Sequence, residues 1–216
     1  MNAINTPTYM RLRDQVRADI VAGLWPLGSH VTLAQLASHY QVSNNPVREA
    51  LLQLQGEGVV AMRMNRGAVI PTVDARYIDN LYRVRGAIQA MLSREAAIKA
   101  TPENVAAMKK LAETQVRLAA DGDIGACVAA NRELHRLIDS VADNPLALEM
   151  LEGRSSLVDA FRRSRGYGPG RLDLVHEQHR SLIDAIAAGD ADGAARASLE
   201  HTDSSRLDLL ALAATP

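Results

Sequence analysis

The sequence predicts a mainly α-helical protein with one small β-hairpin near its start, and three observations predict it. Alanine and arginine favour helix and are abundant, while aromatic residues make up 3% of the chain and leave little of what strands prefer. Apolar residues recur at helical spacing along most of the chain, broken at regular intervals by paired stop and cap signals. Only one stretch, residues 59–70, reads as two short extended runs around a glycine-containing turn.

Composition bounds the class. The 216 residues are enough for two small domains, and 47% apolar with 23% charged residues fits neither a disordered nor a fibrous chain. No apolar run approaches the roughly 20 residues that span a bilayer, so no membrane partner is expected. The opening MNAINTPTYMRLRD places charges where a signal peptide would need an apolar stretch, and a single cysteine cannot form an internal disulfide. A soluble cytoplasmic protein is the expectation. The net charge of −1 excludes a globally basic nucleic-acid binder, so DNA contact must come from local placement of arginines.

The first third reads as helix, helix, helix, hairpin. Tyr9 to Ala22 carries Leu12, Val16 and Ile20 on one face and stops at Gly23. Thr32 caps a second helix from Leu33 to about His39, and Val42-Ser43 forms a short turn. A third helix runs from about Asn44 to Gln55, with Pro46 tolerated in its first turn. Val59 to Met64 and Ala68 to Ile70 flank the turn Asn65-Arg66-Gly67, and Pro71 to Asp74 is a linker. Beyond it, six helices are expected at about 76–100, 103–121, 124–142, 145–165, 171–188 and 191–213. Their short connections predict an antiparallel helical bundle. The expected domains are 1–73 and 76–216.

Helix, tight turn, helix, hairpin is the order of a winged helix-turn-helix, whose second paired helix reads base edges through its N-terminal residues. Ser43, Asn44, Asn45 and Arg48 occupy that end. Asparagine pairs with adenine, arginine with guanine, and a serine hydroxyl binds phosphate. Arg63 and Arg66 flank the hairpin tip, where Gly67 permits close backbone approach to DNA or a positive φ. The plainer alternative is a small helical domain whose asparagines only cap a helix.

The run Val42-Ser43-Asn44-Asn45-Pro46-Val47-Arg48-Glu49-Ala50-Leu51, followed by Leu54, Gly56 and Gly58, resembles the GntR family of bacterial transcription regulators. Residues 20–28 and 65–69 extend that resemblance, which covers residues 9–73. It implies a winged domain that binds operator DNA. Asn44-Asn45 stands where the family usually has Arg-Thr, and Ala34 where many relatives carry a DNA-binding arginine. Both departures bear on the operator sequence rather than on DNA binding as such.

In the second domain Asn131 and His135 are four residues apart, hence on one helix face. His179 lies ten residues before Gly189 and His201 twelve after it, while His135 lies nine before Asn144. At about 1.5 Å rise per residue the helices return to a similar level, so three imidazoles can meet around a divalent transition metal. Each histidine alone is more often a surface or satisfied core residue. The region 78–205 resembles the FCD ligand-sensing domain of the FadR-like branch, and its six expected helices resemble the VanR-like subgroup. That resemblance implies a Zn, Ni or Mn site formed by Asn131, His135, His179 and His201. Asn131 replaces the family's usual aspartate, which predicts weaker metal retention and greater dependence on a bound carboxylate.

The resemblance also implies a small organic acid effector, with Arg85 clamping its carboxylate and Gln89 standing where relatives often have glutamate. Arg162 and Arg163 are weaker candidates, and His176 is expected to face solvent. Cys127 is expected to pack as a small apolar side chain. The leading reading is an effector-responsive, non-enzymatic transcription regulator acting as a homodimer on a two-fold operator. The alternatives are a metal-dependent hydrolase and a metal or organic-acid binding protein without DNA function. His176-Glu177-Gln178-His179 does not support the hydrolase, because two residues rather than three separate its histidines.

Overall fold

The computed structural model describes residues 7–63 and 66–214. They group into two compact units, Met1–Val73 with Glu152–Ser164, and Asp74–Leu151 with Arg165–Pro216.

In the first unit α1 (Thr8–Val21) buries Leu12, Val16 and Ile20, the four-residue spacing of one helix face. Next come β1 (His30–Val31), α2 (Leu33–Tyr40) and α3 (Asn44–Gly56). Thr32 starts α2 with a reciprocal cap: Gln35 N donates to Thr32 Oγ1 at 3.1 Å and Thr32 N to Gln35 Oε1 at 2.8 Å. Gln41, at φ 54°, closes that helix in the left-handed region and sets up the tight turn into α3. Val47, Ala50, Leu51 and Leu54 are the buried face of α3.

The hairpin strands are β2 (Ala61–Arg63) and β3 (Gly67–Val69), shorter than the expected runs. Val59 and Val60 are both buried in succession, which a half-exposed strand does not do, and β2 begins only after them. The expected turn residue Asn65 lies outside the described residues. β1 makes a third, unanticipated strand, giving an antiparallel sheet of order β1-β3-β2 with Val31 and Met62 both opposite Ala68. Two residues are too few to show a period in sequence, which is why the strand was not legible.

The second unit holds α4 (Ala75–Lys99), α5 (Pro102–Ala120), α6 (Ile124–Val141), the ends of α7 (Pro145–Arg165), α8 (Arg171–Ala187) and α9 (Ala191–Ala214). Side-chain caps start all of these helices but α8, whose N-cap is Gly170: Asp74, Thr101, Asp123, Asn144 and Asp190 each accept a backbone N–H three residues on. α4 packs on α9, α6 and α8, while α5 packs on α6 and α8. Met108, Leu134, Ile138, Leu182, Ile183 and Ile186 fill the space between them. Among the described residues no helix is long and apolar enough to cross a membrane.

Tyr40 ties α2 to α1: its hydroxyl donates to Asp19 Oδ2 at 2.6 Å and accepts from Trp25 Nε1 at 2.8 Å. Tyr40→Phe removes both bonds and is expected to cost about 1–2 kcal/mol. Trp25 is the only tryptophan, so its emission during denaturant unfolding reports on this unit. An unchanged midpoint would show that water replaces the hydroxyl.

Candidate functional site

Ser43 is the N-cap of α3, yet its side chain makes no capping hydrogen bond. Its hydroxyl, Asn44, Asn45 and Arg48 are all exposed along the first turn and a half. Val47, Ala50 and Leu51 turn inward, and the helix period then sets Asn45 on the opposite side and Arg48 at its flank, while Asn44 is exposed in the opening turn. Arg63 and Arg66 are exposed at the two sides of the hairpin, and Arg66 N donates to Arg63 O at 3.0 Å across its turn. Ala34 is exposed in the first turn of α2. Gly67 adopts the positive φ expected of it. It is buried at φ +95°, and a Cβ there would lie 2.1 Å from Val31 O. The packing of β3 on β1 requires the glycine.

In the second unit the structure brings His135 of α6, His179 of α8 and His201 of α9 together. Their ring centroids are 5.2, 5.0 and 4.6 Å apart, and one nitrogen from each lies within 4.8 Å of the others. All three are buried. Leu134 and Ile138 flank His135, and Leu182 and Ala197 lie about one turn from the other two, so the apolar core fixes the level of the cluster.

The hydrogen bonding orients it. Arg171 donates to Gln178 Oε1 at 3.1 Å, to Ser204 Oγ at 2.8 Å and to Ser205 Oγ at 2.6 Å. Gln178 Oε1 lies 3.2 Å from His201 Nδ1. An amide oxygen only accepts, so His201 carries its proton on Nδ1 and keeps the Nε2 lone pair for the cluster. That lone pair faces His135 Nε2 at 3.2 Å. Among the described residues neither ring nitrogen of buried His179 has a hydrogen-bond partner. An unsatisfied buried polar atom costs about 1–3 kcal/mol, so such a ring signals a missing partner. Three neutral imidazoles suit a divalent transition metal.

Burial keeps all three neutral. It pushes His179 down to about 3, helped by the charge of Arg171 and by His176. Burial likewise holds His135 and His201 well below the ordinary range, followed by neighbouring histidines and the charge of Arg85.

Asn131 is half-buried, and its Oδ1 accepts from Gln115 Nε2 at 3.2 Å. His176 is half-buried rather than solvent-facing and is not one of the three converging rings. Arg85 is half-buried, donates from Nε to Gln89 Oε1 at 3.0 Å and lies over the Tyr82 ring. Arg162 is buried and belongs to the first unit, whereas the histidines belong to the second, and Arg163 is exposed. Cys127 is fully buried as expected.

Sequence reasoning missed Gln178, Arg171 and Asp139. Asp139 is buried one turn after His135 and accepts from Gln89 Nε2 at 3.4 Å. Burial pushes its carboxyl up to about 6. Its four-residue offset from His135 was the available signal.

Residues 8–70 match the bacterial regulatory proteins of the gntR family, and residues 80–204 match the FCD domain. The chain belongs to the gntR family, with an FCD domain. The putative L-lactate dehydrogenase operon regulatory protein of Escherichia coli K12 is 31% identical over 77% of this chain and 72% of its own. The HTH-type transcriptional repressor RspR of the same organism is 24% identical over 90% and 86%. Among solved structures, E. coli McbR/YncC superposes with a TM-score of 0.83 at 22% identity, covering 94% of this chain and 97% of the other. A putative GntR regulator from Rhodococcus sp. RHA1 gives 0.76 at 20% identity, covering 95% and 99%. This gntR-family chain is a DNA-binding transcriptional regulator, and neither its family nor its relatives are enzymes. The hydrolase alternative and the reading without DNA function are therefore set aside.

The buried histidines give the bundle an acid-side weakness. Their folded pKa values lie below the ordinary 6.5, so between about 6.5 and 3 the unfolded chain binds more protons. Stability of chelated protein is expected to fall as pH drops through that window. Asp139 contributes the opposite slope between about 4 and 6, because its folded pKa is raised. Thermal midpoints against pH should show the acid-side loss reduced in His179→Leu; an identical profile would mean the rings are not buried neutral.

Proposed function

We propose that this regulator senses a small carboxylate through a divalent transition metal (Zn, Ni or Mn) in its C-terminal domain, 76–216, and so controls operator binding by its winged domain, 1–73. The observation that carries the reading is the convergence of three buried imidazoles, one of which has no hydrogen-bond partner on either nitrogen among the described residues. His135, His179 and His201 would hold the metal, with Asn131 a fourth candidate through its amide oxygen. Bound there, the metal would supply a Lewis-acid anchor for a carboxylate. Gln178 would hold His201 in the ligating tautomer, and Arg85 would clamp the acid, since its terminal guanidinium nitrogens have no hydrogen-bond or ion-pair partner among the described residues. Neutral ligands leave the ion's charge uncompensated, which favours an anionic effector.

Ser43, Asn44, Asn45 and Arg48 would read DNA, with Arg63 and Arg66 on flanking phosphate or minor groove. The protein would act in the cytoplasm as a homodimer. Val84, Met91 and Ile98 support this: they are 60%, 43% and 65% exposed at seven-residue spacing on α4, an apolar stripe that a second copy would cover. The relative RspR is a repressor, which favours repression here.

A thermal-shift matrix tests the sensor: chelated protein with Zn, Ni, Mn or none, crossed with small carboxylic acids. One acid stabilising the protein only with metal is the expected result. Stabilisation without metal would reduce the histidines to structural residues and leave Arg85 as the anchor.

Titration of DNA from beside the protein's own gene tests the reader. Two chains per site are expected, and Arg48→Ala should cost about 1–3 kcal/mol on the specific site and far less on random DNA. Equal binding to all DNA that vanishes at physiological salt would overturn specific recognition.

A further inference from the structure

A second polar arrangement adjoins the histidines. Arg85 and Gln89 are one turn apart on α4, and His135 and Asp139 are one turn apart on α6. Gln89 joins the two helices, accepting from Arg85 Nε at 3.0 Å and donating to Asp139 Oδ2 at 3.4 Å. Its amide therefore separates a guanidinium from a carboxylate, and no ion pair closes between them among the described residues. Each keeps capacity. Arg85 has its terminal nitrogens unengaged, and Asp139 Oδ1 accepts no hydrogen bond among the described residues.

A buried carboxylate that no ion pair closes is costly, and holding it apart from a half-buried guanidinium by an amide gains nothing for stability that an apolar pair would not. The arrangement has a ligand logic instead. The guanidinium end complements a carboxylate, whereas an ionised Asp139 only accepts and so needs a donor. A second carboxylate placed there would meet like charge in a low dielectric. Asp139 stands 6% exposed, too deep for water alone to screen that repulsion.

We propose that Asp139 is a specificity-determining residue that restricts the effector to monocarboxylic acids bearing a hydroxyl or ammonium donor, and rejects dicarboxylates. This rests on the carboxylate-sensing reading above. The acid group lies toward Arg85 and the histidines, and the donor reaches Asp139. Gln89 acts as a positioning residue, holding Oδ2 so that Oδ1 faces the ligand.

The test uses full-length, Zn-loaded protein and calorimetric titration with matched acids of three, four and five carbons. Each set contains the plain monocarboxylate, its 2-hydroxy and 2-amino forms, and the dicarboxylate. For the native chain, at least one donor-bearing form is expected to bind roughly tenfold or more tighter than the plain acid, with the dicarboxylate weakest. Asp139→Asn should reduce that preference to about threefold or less and raise dicarboxylate affinity. Asp139→Leu should abolish the preference while its helical circular dichroism stays native.

If the native chain binds acids without preference, or Asp139→Asn keeps the preference, this inference is wrong and carboxylate sensing stands. Binding of none of the acids by the native chain overturns both. The hydroxy and amino arms separate the two donor chemistries.

Discussion

Three imidazoles buried at one level of a helical bundle cannot satisfy one another. Neutral rings have one donor and one acceptor each, and fixed rotamers let only some of those meet. Here the His135–His201 approach and the Gln178 link account for two rings, and His179 is left with both nitrogens unpartnered among the described residues. The helices that carry them are held in place by an apolar layer that includes Leu134, Ile138 and Leu182. The core thus enforces a polar defect, and the proposed metal site rests on that defect. In that proposal stability and function draw on the same residues with opposite sign.

That conflict explains which parts of the protein were legible in its sequence. Helix starts were legible because they depend on single side chains: Thr32, Thr101, Asp123 and Asn144 all cap as their residue types require, whereas Asp74, read as the end of a linker, proves to cap α4. The three histidines were legible because helix rise converts sequence separation into depth. Gln178 and Asp139 were not, since a glutamine or aspartate within a helix is ordinary surface chemistry until the neighbouring helices are in place. β1 failed for another reason. Its two residues pair only through backbone, and the trace it leaves in sequence is Gly67, whose missing side chain makes room for Val31 O.

The two units solve different problems with the same local rules. In α3 the apolar period buries Val47, Ala50 and Leu51, and the residues left outside are the ones with base-reading chemistry. Presentation requires only a helix whose cap does not consume its own polar side chains, and Ser43 keeps its hydroxyl free. In α6 the period runs the other way: polar His135 and Asp139 share the inward face with Leu134 and Ile138. An inward polar face needs partners from other helices, so its meaning is tertiary. This is why the exposed polar residues of α3 could be picked out by motif alone, while the partners of the histidines, Gln178 and Asp139, required the assembled bundle.

Charge placement around His135 follows from this. One turn before it stands the uncharged Asn131, engaged by Gln115; one turn after it stands Asp139, engaged by Gln89. The acid is thus not where a ligand of the histidine cluster would need it, and the proposed metal would face three neutral rings and an amide. Arg85 adds positive charge near the same rings, enough to help depress His135 and His201. A cation placed there gains little from the protein's own charge and much from an incoming anion. Metal and effector would then bind with positive coupling, each raising the other's affinity by the same factor. Restoring an aspartate at position 131 would strengthen metal retention and weaken that coupling, because the anion would no longer be the main source of neutralising charge.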